Sequence, residues 1–403
     1  MKLNSSLLIF FTLFLSLQMS GQWTQISGSP EGFVTDHAVG FAINGKGYLA
    51  TGNDELGDFR NDFFEYDPIS DSFTQLNNFP GGARGFSIGD AWNGKAYLGF
   101  GLNTNNQFMN DLWEFDPTDN SWKQLARCPC RARSHPAFIA HNDKIFVGMG
   151  SSSIGNLNDW WVYDIPTGVW SEGARFPSVV RHHPYQFGAG DYVYAGFGHG
   201  AAIYNDWYRY DVVTDTWEEM ARLPGEGRVA GQQFDFNGKG YILSGEGNDH
   251  ATMDEGEFYS YDPETNSWER LPDHPGNSRW APSSFVIDNE AYLFSGIIRG
   301  LGFPISMESA YKFTFDEDVM SSVNALENNA IINLYPNPVS DQLYIEGLSD
   351  YRGELMIVDM LGQTRQSFQF EHSKNVSTAA LADGIYILRS TDGTIAKQFV
   401  VNH

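Results

Sequence analysis

The chain has 403 residues, which is more than one ordinary domain holds and is typical of two or three. Asp and Glu number 50 against 25 Lys and Arg, so the net charge of −25 disfavours nucleic-acid binding and attachment to an anionic membrane surface, both of which need a basic face. Aromatic residues make up 15% of the chain and charged residues 19%, which excludes a disordered acidic protein, while 42 glycines favour short strands joined by tight turns.

The N-terminal segment is expected to be a secretory signal peptide over residues 1–21. A basic start, Met1-Lys2, precedes an apolar stretch over residues 7–17, which is too short to span a bilayer. The small pair Ser20-Gly21 then suits a cleavage site, which would leave Gln22 as the first mature residue. A buried N-terminal helix is the alternative, and no other segment resembles a membrane span.

A repeat of about fifty residues occupies residues 22–315, and a repeat of this period decides the fold. An aromatic residue follows an Asp-containing turn in each unit, with successive spacings of 49, 48, 47 and 51 residues. These aromatics are Phe73, Trp122, Trp170, Trp217 and Trp268. An apolar segment ending in glycine comes earlier in each unit, and these glycines are Gly52, Gly101, Gly150, Gly198, Gly245 and Gly296. The sequence therefore holds six units.

Each unit is predicted to form four strands. Asn-Gly pairs such as Asn44-Gly45 suit the tight turn between the first two strands, because both residues tolerate positive φ. The sixth unit has no fourth strand after Phe315. Residues 22–26 (QWTQI) match residues 121–125 (SWKQL), so we expect the N-terminal strand to complete the sixth unit.

This order of motifs resembles the kelch repeat, and six units imply a six-bladed β-propeller over residues 22–315. The expected fold class is all-β. The resemblance implies that tryptophans such as Trp113, Trp160 and Trp207 pack between blades and do not serve as platforms for sugars. It also implies short, protected sheet edges, and we expect a monomer.

The C-terminal segment differs from the repeats. Residues 316–330 are polar and suit a linker, and residues 331–403 alternate strand patterns with Gly turns, which predicts a small β-sandwich. Residues 333–338 (NLYPNP) and 383–388 (DGIYIL) resemble the type A C-terminal sorting domain of the type IX secretion system of Bacteroidetes. The resemblance implies contact with the secretion machinery, export, and a protein that is secreted or attached to the outer cell surface.

Five units carry an arginine 17 residues before their glycine, and the first unit has Thr35 there. The arginines are Arg84, Arg133, Arg181, Arg228 and Arg279. In a propeller they would surround the channel mouth, where guanidinium groups suit a carboxylate ligand. The alternative is structural pairing, in which each arginine bonds a neighbouring acid or a loop carbonyl, and the facing loops offer acids such as Glu246.

Three units carry a histidine two residues after that position: His37, His135 and His183. Because positions i and i+2 of a strand share a face, we expect these histidines beside the arginines. Clustered histidines can bind a metal or transfer protons, but adjacent arginines would repel a cation, so neither a metal nor another cofactor is expected. Cys128 and Cys130 are either a local disulfide or free thiols.

Three functional hypotheses follow. The first is a propeller that binds a glycan or protein ligand, which is acidic if the arginines bind it, through the channel-mouth face. The second is an enzyme on an acidic sugar, similar to the sialic-acid epimerases among six-bladed kelch proteins, in which an arginine holds the carboxylate while Glu246 or a channel histidine moves a proton. The third is a structural surface protein. The sequence has no Gly-x-Ser-x-Gly or His-Glu-x-x-His motif, and no catalytic residue is assigned.

Overall fold

The structure is a computed structural model that describes residues 22–30, 32–33, 36–299, 304–315, 332–336, 338–347, 352–359, 364–390 and 396–403. The chain divides into two compact units, Met1–Phe315 and Asp316–His403. The predicted signal peptide, Thr35 and the predicted linker lie outside the described residues. No helix in the described part of the chain is long and apolar enough to cross a membrane.

Six four-stranded antiparallel sheets make up the larger unit, which confirms the all-β propeller prediction. We number the sheets in the order of their first strands. The first strands are Val39–Ile43, Ile88–Trp92, Ala137–His141, Tyr185–Ala189, Gln232–Phe236 and Ser283–Ile287. The second strands are Lys46–Ala50, Lys95–Gly99, Lys144–Gly148, Tyr192–Gly196, Lys239–Leu243 and Glu290–Phe294.

The outer two strands of each sheet follow a longer loop. The third strands are Phe63–Asp67, Leu112–Asp116, Trp160–Asp164, Trp207–Asp211, Gly256–Asp262 and Ala310–Thr314. The fourth strands are Ser72–Gln75, Ser121–Gln124, Val169–Gly173, Thr216–Met220, Ser267–His274 and, from the N-terminus, Gln22–Ile26. The loops of the larger unit add three two-stranded ladders and one 3-10 turn, Asn248–His250.

The N-terminal strand is the outermost strand of sheet 6. It pairs antiparallel with Ala310–Thr314, and Trp23 lies opposite Phe313. Trp23 also crosses to sheet 5, where its ring centroid is 5.5 Å from that of Phe258 and its Nε1 donates to the Pro272 carbonyl at 2.8 Å. The pairing agrees with the match of residues 22–26 to the other fourth strands.

The first strands of the six sheets line the central channel. Each contacts the first strands of the sheets before and after it, and the ring includes a contact of Val39–Ile43 with Ser283–Ile287. Aromatic side chains fill the space between sheets, as predicted. Trp160 and Trp207 are fully buried, and indoles of fourth strands donate to the preceding blade, as Trp217 Nε1 does to the Ala174 carbonyl at 2.8 Å.

The smaller unit has two sheets around one apolar core. One sheet has the order Ile332–Tyr335, Gln342–Gly347, Ser373–Ser377, and the other has the order Thr364–Phe370, Gly353–Asp359, Gly384–Ser390, Ala396–Val401. Leu343 and Ile345 of the first sheet and Leu355, Leu388 and Phe399 of the second belong to one buried cluster. This packing is that of a small β-sandwich.

Candidate functional site

The arginines that recur before the first strands are buried inside their own sheets. Arg84 donates from Nη1 and Nη2 to the two carboxylate oxygens of Asp111 at 2.8 and 2.9 Å. Arg133 makes the same two bonds to Asp159 at 2.6 and 2.7 Å. Such bidentate pairs match the planar guanidinium to the carboxylate and use both of its terminal nitrogens.

The pairing repeats because an acid stands eleven residues before the aromatic of the Asp-containing turn in five units. The equivalent residues are Asp62, Asp111, Asp159, Asp206, Glu257 and Ser309. Arg181 bonds Asp206 at 2.5 and 2.9 Å, and Arg228 bonds Glu257. The first unit has Thr35 at the arginine position, and in sheet 1 Arg60 pairs with the equivalent acid instead. Its Nε lies 2.7 Å from Asp62 Oδ2.

These contacts correct the expected geometry. Arg84, Arg133, Arg181, Arg228 and Arg279 do not form a ring around the channel mouth, since each guanidinium lies within its sheet. They follow the alternative of structural pairing: the first four arginines bond an acid of their own sheet, and Arg279 donates to the Ser295 and Ser309 carbonyls. None of the acids comes from the facing-loop set that includes Glu246. The signal was present in the sequence, because Asn-Asp pairs recur at 110–111, 158–159 and 205–206.

A second set of equivalent residues does converge on the channel axis. Its six members, one from each blade and here called the channel ring, are His37, Phe86, His135, His183, Ala230 and Ala281. All six have φ between 45° and 59°. Backbone N–H groups of the ring donate to the preceding blade, as His183 does to the His135 carbonyl at 3.1 Å and His37 to that of Ala281 at 2.9 Å.

The positive φ separates the histidines from the arginines. In extended strand, residues i and i+2 point the same way, which predicted that His135 would lie beside Arg133. The left-handed backbone at His135 breaks that alternation, so the Arg133 side chain enters the sheet while the His135 ring faces other histidines. Phe86 and the two alanines share the conformation, so it belongs to the fold and not to histidine alone.

Three imidazoles of the channel ring form a compact cluster, here called the histidine triad: His37, His135 and His183. One ring nitrogen from each lies within 4.8 Å of the others. His37 Nε2 is 2.9 Å from His183 Nε2, and the ring centroids of His135 and His183 are 3.7 Å apart. Asp36 Oδ1 accepts a hydrogen bond from His37 Nδ1 at 2.6 Å, which orients that ring.

Two rings of the triad, those of His135 and His183, favour the neutral form. Burial, together with neighbouring imidazoles, lowers the pKa of His135 and of His183 well below its ordinary value. Both nitrogens of His135 and Nδ1 of His183 have no hydrogen-bond partner among the described residues. Buried polar atoms of this kind are uncommon in folded proteins, and each needs an explanation.

A second polar group, here called the mouth cluster, lies beside the triad on the loop side. It comprises His182, His199, Glu246, His250 and Arg299, whose contacts link three blades. His250 Nε2 is 3.3 Å from His199 Nδ1, and the His182 and His199 rings are 5.2 Å apart. Arg299 pairs through two nitrogens with the fully buried Glu246, and its guanidinium lies 3.6 Å from the ring centre of Trp280.

Glu246 therefore reaches the candidate site but is paired with a cation there. Sequence reasoning missed Arg299, His250 and Trp280. Arg299 and His250 come from loops that follow the unit glycines and have no repeat pattern. The doublet His182-His183 and the position of His199 directly after Gly198 were the signals for the histidines of the mouth cluster.

The channel continues on the other side of the triad. A cavity of about 70 Å³ is lined by the three histidines with Gln186 and Gln232. A wider cavity of about 170 Å³ shares Gln186 and includes Asp90 and Asp235. Burial, and then the nearby Asp235 carboxylate, raise the pKa of Asp90 to about 7. The wider cavity therefore combines polar side chains with aromatic ones such as Phe41 and Phe187.

Cys128 and Cys130 form a disulfide in the loop before the first strand of sheet 3, and both are buried. This resolves the alternative of free thiols. The bridge lies in a loop beside Arg131 and Pro129, and neither cysteine lines the channel cavities described above.

Comparison with known families identifies both units. Residues 9–178 and 101–229 match the KLHDC2/KLHL20/DRC7 Kelch-repeats domain, and residues 333–402 match the Secretion system C-terminal sorting domain. No curated protein matches the chain. The sorting domain indicates type IX secretion, with contact to the secretion machinery and a final location outside the cell or on its outer surface. The chain thus belongs to the kelch-repeat family and carries a C-terminal secretion sorting domain.

Proposed function

We propose that this protein is a ligand-binding propeller, made with a cleaved signal peptide over residues 1–21, and that a glycan or protein ligand binds at the channel mouth. The observation that carries the proposal is the mouth cluster. Its side chains come from three blades, meet beside the channel axis, and include His182, whose Nδ1 has no hydrogen-bond partner among the described residues. Convergent polar groups at the mouth of a cavity are typical of ligand sites.

The rim of the same face supports this proposal. Among the residues that the structure describes, the loops that surround the mouth carry five exposed apolar side chains, which are Leu56, Ile154, Val179, Val180 and Ile305. A ligand that spans the rim would cover apolar area while its polar groups reach the mouth cluster. Protein segments and the apolar faces of sugar rings both offer this combination.

The contacts of the arginines favour one class of ligand over another. A carboxylate ligand held by one of the first four recurring arginines would have to displace Asp111, Asp159, Asp206 or Glu257 from a buried pair. Arg279 has no such acid, but it is fully buried and its guanidinium donates to Ser295 and Ser309. Arg299 of the mouth cluster is already paired with Glu246. These pairs favour a ligand that is recognised by imidazole and amide hydrogen bonds over one selected for its negative charge, and they give the acidic-sugar enzyme hypothesis no support at these residues.

The proposal is tested by glycan-array and peptide-array screening of the purified full-length protein, followed by affinity measurements on the best binder. His199→Ala and His250→Ala remove the two imidazoles that contact each other across blades 4 and 5. The matched control is His141→Ala, at the opposite end of a first strand, where His141 Nε2 meets the Gly190 carbonyl at 2.8 Å.

We expect both mouth variants to weaken binding at least tenfold with unchanged melting temperature, and the control to bind normally. Binding that survives both mouth changes, or that is lost only in the control, would place the ligand elsewhere on the propeller. The absence of any binder on both arrays would count against the proposal for these two ligand classes.

A further inference from the structure

We infer that the histidine triad, His37, His135 and His183, is a binding site for one divalent late first-row transition metal ion, with Zn²⁺ as the best-fitting ion. Three blades each contribute one imidazole at equivalent positions of the channel ring. Imidazole nitrogen is a preferred ligand of zinc, copper and nickel, and three imidazoles are one of the ligand sets that hold zinc with an open fourth position.

The distances suit a tetrahedral ion. A zinc–nitrogen bond of about 2.0–2.1 Å places tetrahedral ligand nitrogens about 3.3 Å apart. His37 Nε2 and His183 Nε2 are 2.9 Å apart. One ring nitrogen from each of the three histidines lies within 4.8 Å of the others. Side-chain rotation of the imidazoles covers the remaining difference, because the backbone of the channel ring already holds the three residues together.

The surroundings of His37 have the arrangement found behind metal-bound histidines. A ligating histidine usually donates its second ring N–H to a carboxylate, which fixes the ring and makes the ligating nitrogen a stronger donor. His37 Nδ1 donates to Asp36 Oδ1 at 2.6 Å, and Asn53 Nδ2 donates to the same oxygen at 2.6 Å. Nε2 of His37 is thereby left facing the triad as an acceptor.

A metal would also give a partner to one nitrogen of His135, a ring on which neither nitrogen has a hydrogen-bond partner among the described residues. The burial of His135 makes a bound ion a direct explanation for its unpartnered ring, because buried polar atoms are normally paired. Ring contacts with Phe86 and Trp280 limit the sideways movement of the imidazoles.

The objection drawn from neighbouring arginines does not hold in the folded protein. Arg133 and Arg181 are paired with Asp159 and Asp206 inside their sheets, so their charge is compensated before it reaches the triad. Arg299 is compensated by Glu246. The cavity of about 70 Å³ below the triad is lined by Gln186, and it offers room for a water molecule as the fourth ligand.

The test measures metal binding directly, on full-length protein purified without a histidine tag. Metal-stripped protein is titrated with Co²⁺ and Zn²⁺, and bound metal is counted by mass spectrometry after gel filtration. The variants are His135→Ala and His183→Ala. Sheets 5 and 6 already have alanine at this position with the same positive φ, at Ala230 and Ala281, so the fold accepts the change.

We expect one metal ion per chain, a visible Co²⁺ spectrum of tetrahedral or five-coordinate type, and at least 100-fold weaker binding in each alanine variant. Asp36→Asn should weaken binding 10- to 100-fold and leave the spectrum of the bound form similar. His141→Ala is the matched control, since His141 lies at the other end of its first strand, and it should bind the metal ion as tightly as the original protein. His199→Ala tests whether the ion lies in the mouth cluster instead.

Three results would overturn the assignment. They are the absence of stoichiometric metal in the unaltered protein, a metal affinity in both alanine variants equal to that of the unaltered protein, and loss of the metal in His199→Ala alone. The last result would move the ion to the mouth cluster. The melting temperature of each variant shows whether weaker metal binding comes from unfolding of the propeller or from loss of a metal ligand. A metal at the triad does not require a glycan or peptide at the mouth, so either proposal can fail alone.

Discussion

Arg279 donates from Nη1 to the backbone carbonyl of Ser309 at 2.8 Å and from Nη2 to the Ser309 hydroxyl at 3.1 Å. Sheets 2, 3 and 4 place a bidentate Arg–Asp pair at this position, but sheet 6 has serine where those sheets have aspartate. Arg279 is buried and has no carboxylate partner among the described residues. Burial accordingly lowers the pKa of Arg279 to about 10.

We predict that Ser309→Asp stabilises the propeller. The new carboxylate would restore the pair that Asp111, Asp159 and Asp206 make, and it would compensate a buried cation. We expect a gain of about 1–3 kcal/mol in the free energy of unfolding, measured by urea denaturation at pH 7. Ser309→Asn is the matched control, because it has the size of aspartate without its charge. A variant Ser309→Asp that is no more stable than Ser309→Asn would contradict the prediction.

We predict that Asp159→Asn destabilises the protein far more than Asp62→Asn does. Burial opposes ionisation of Asp159, yet Arg133 holds its pKa below the ordinary value, and the change would leave a fully buried guanidinium unpaired. Such losses cost about 3–5 kcal/mol. Arg60 beside Asp62 is about one-third exposed, so loss of that pair should cost about 1 kcal/mol or less. Urea unfolding of both variants measures the difference, and equal losses would show that burial does not govern these pairs.

The fold was predictable because its signals repeat. Five turn aromatics and six unit glycines each recur at intervals of 47 to 51 residues, which fixes the number of sheets and the place of each strand. The N-terminal strand was identifiable because Trp23 occupies the same place in its short motif as Trp122. Local patterns of this kind need no knowledge of side-chain direction.

The site was less predictable, because it depends on side-chain direction at single residues. The sequence predicted that His135 and His183 cluster, but the reason given was wrong. They were expected to share a strand face with Arg133 and Arg181. Nothing in the sequence indicated the left-handed φ of the channel ring, because the residues at this position are histidine, phenylalanine and alanine and not glycine. Arg299 was missed because its partner, Glu246, lies 53 residues earlier in a different unit.

We predict that Trp23→Ala lowers stability by about 2–4 kcal/mol, measured as the shift in urea midpoint. The indole contacts Phe258 and Phe313 and donates a hydrogen bond to Pro272, so its loss removes a link between sheets 5 and 6. Gln25→Ala on the same strand is the control, since Gln25 is exposed, and it should change stability by less than about 0.5 kcal/mol. Similar small effects in both variants would mean that the N-terminal strand contributes little to the propeller.

The last prediction concerns acid and His274, which is buried in the fourth strand of sheet 5. Its Nε2 lies 3.1 Å from Ser244 Oγ, and burial lowers the pKa of His274 to about 3. In the unfolded chain the imidazole takes up a proton near pH 6.5, whereas in the folded protein it does so near pH 3. The unfolded state therefore binds more protons between these values, and His274 makes the protein less stable as the pH falls from 6.5.

The expected slope from this one residue is about 1.4 kcal/mol per pH unit below pH 6. His274→Gln keeps hydrogen-bonding groups near Ser244 but cannot be protonated. We therefore expect the variant to lose about 1–2 kcal/mol less than the original protein when urea unfolding is compared at pH 7 and pH 5. The half-exposed His403 pairs with Asp383 in the smaller unit, and His403→Gln, as the control, should leave the acid sensitivity of the propeller unchanged. If His274→Gln and the original protein lose the same stability on acidification, another group accounts for the acid sensitivity of the propeller.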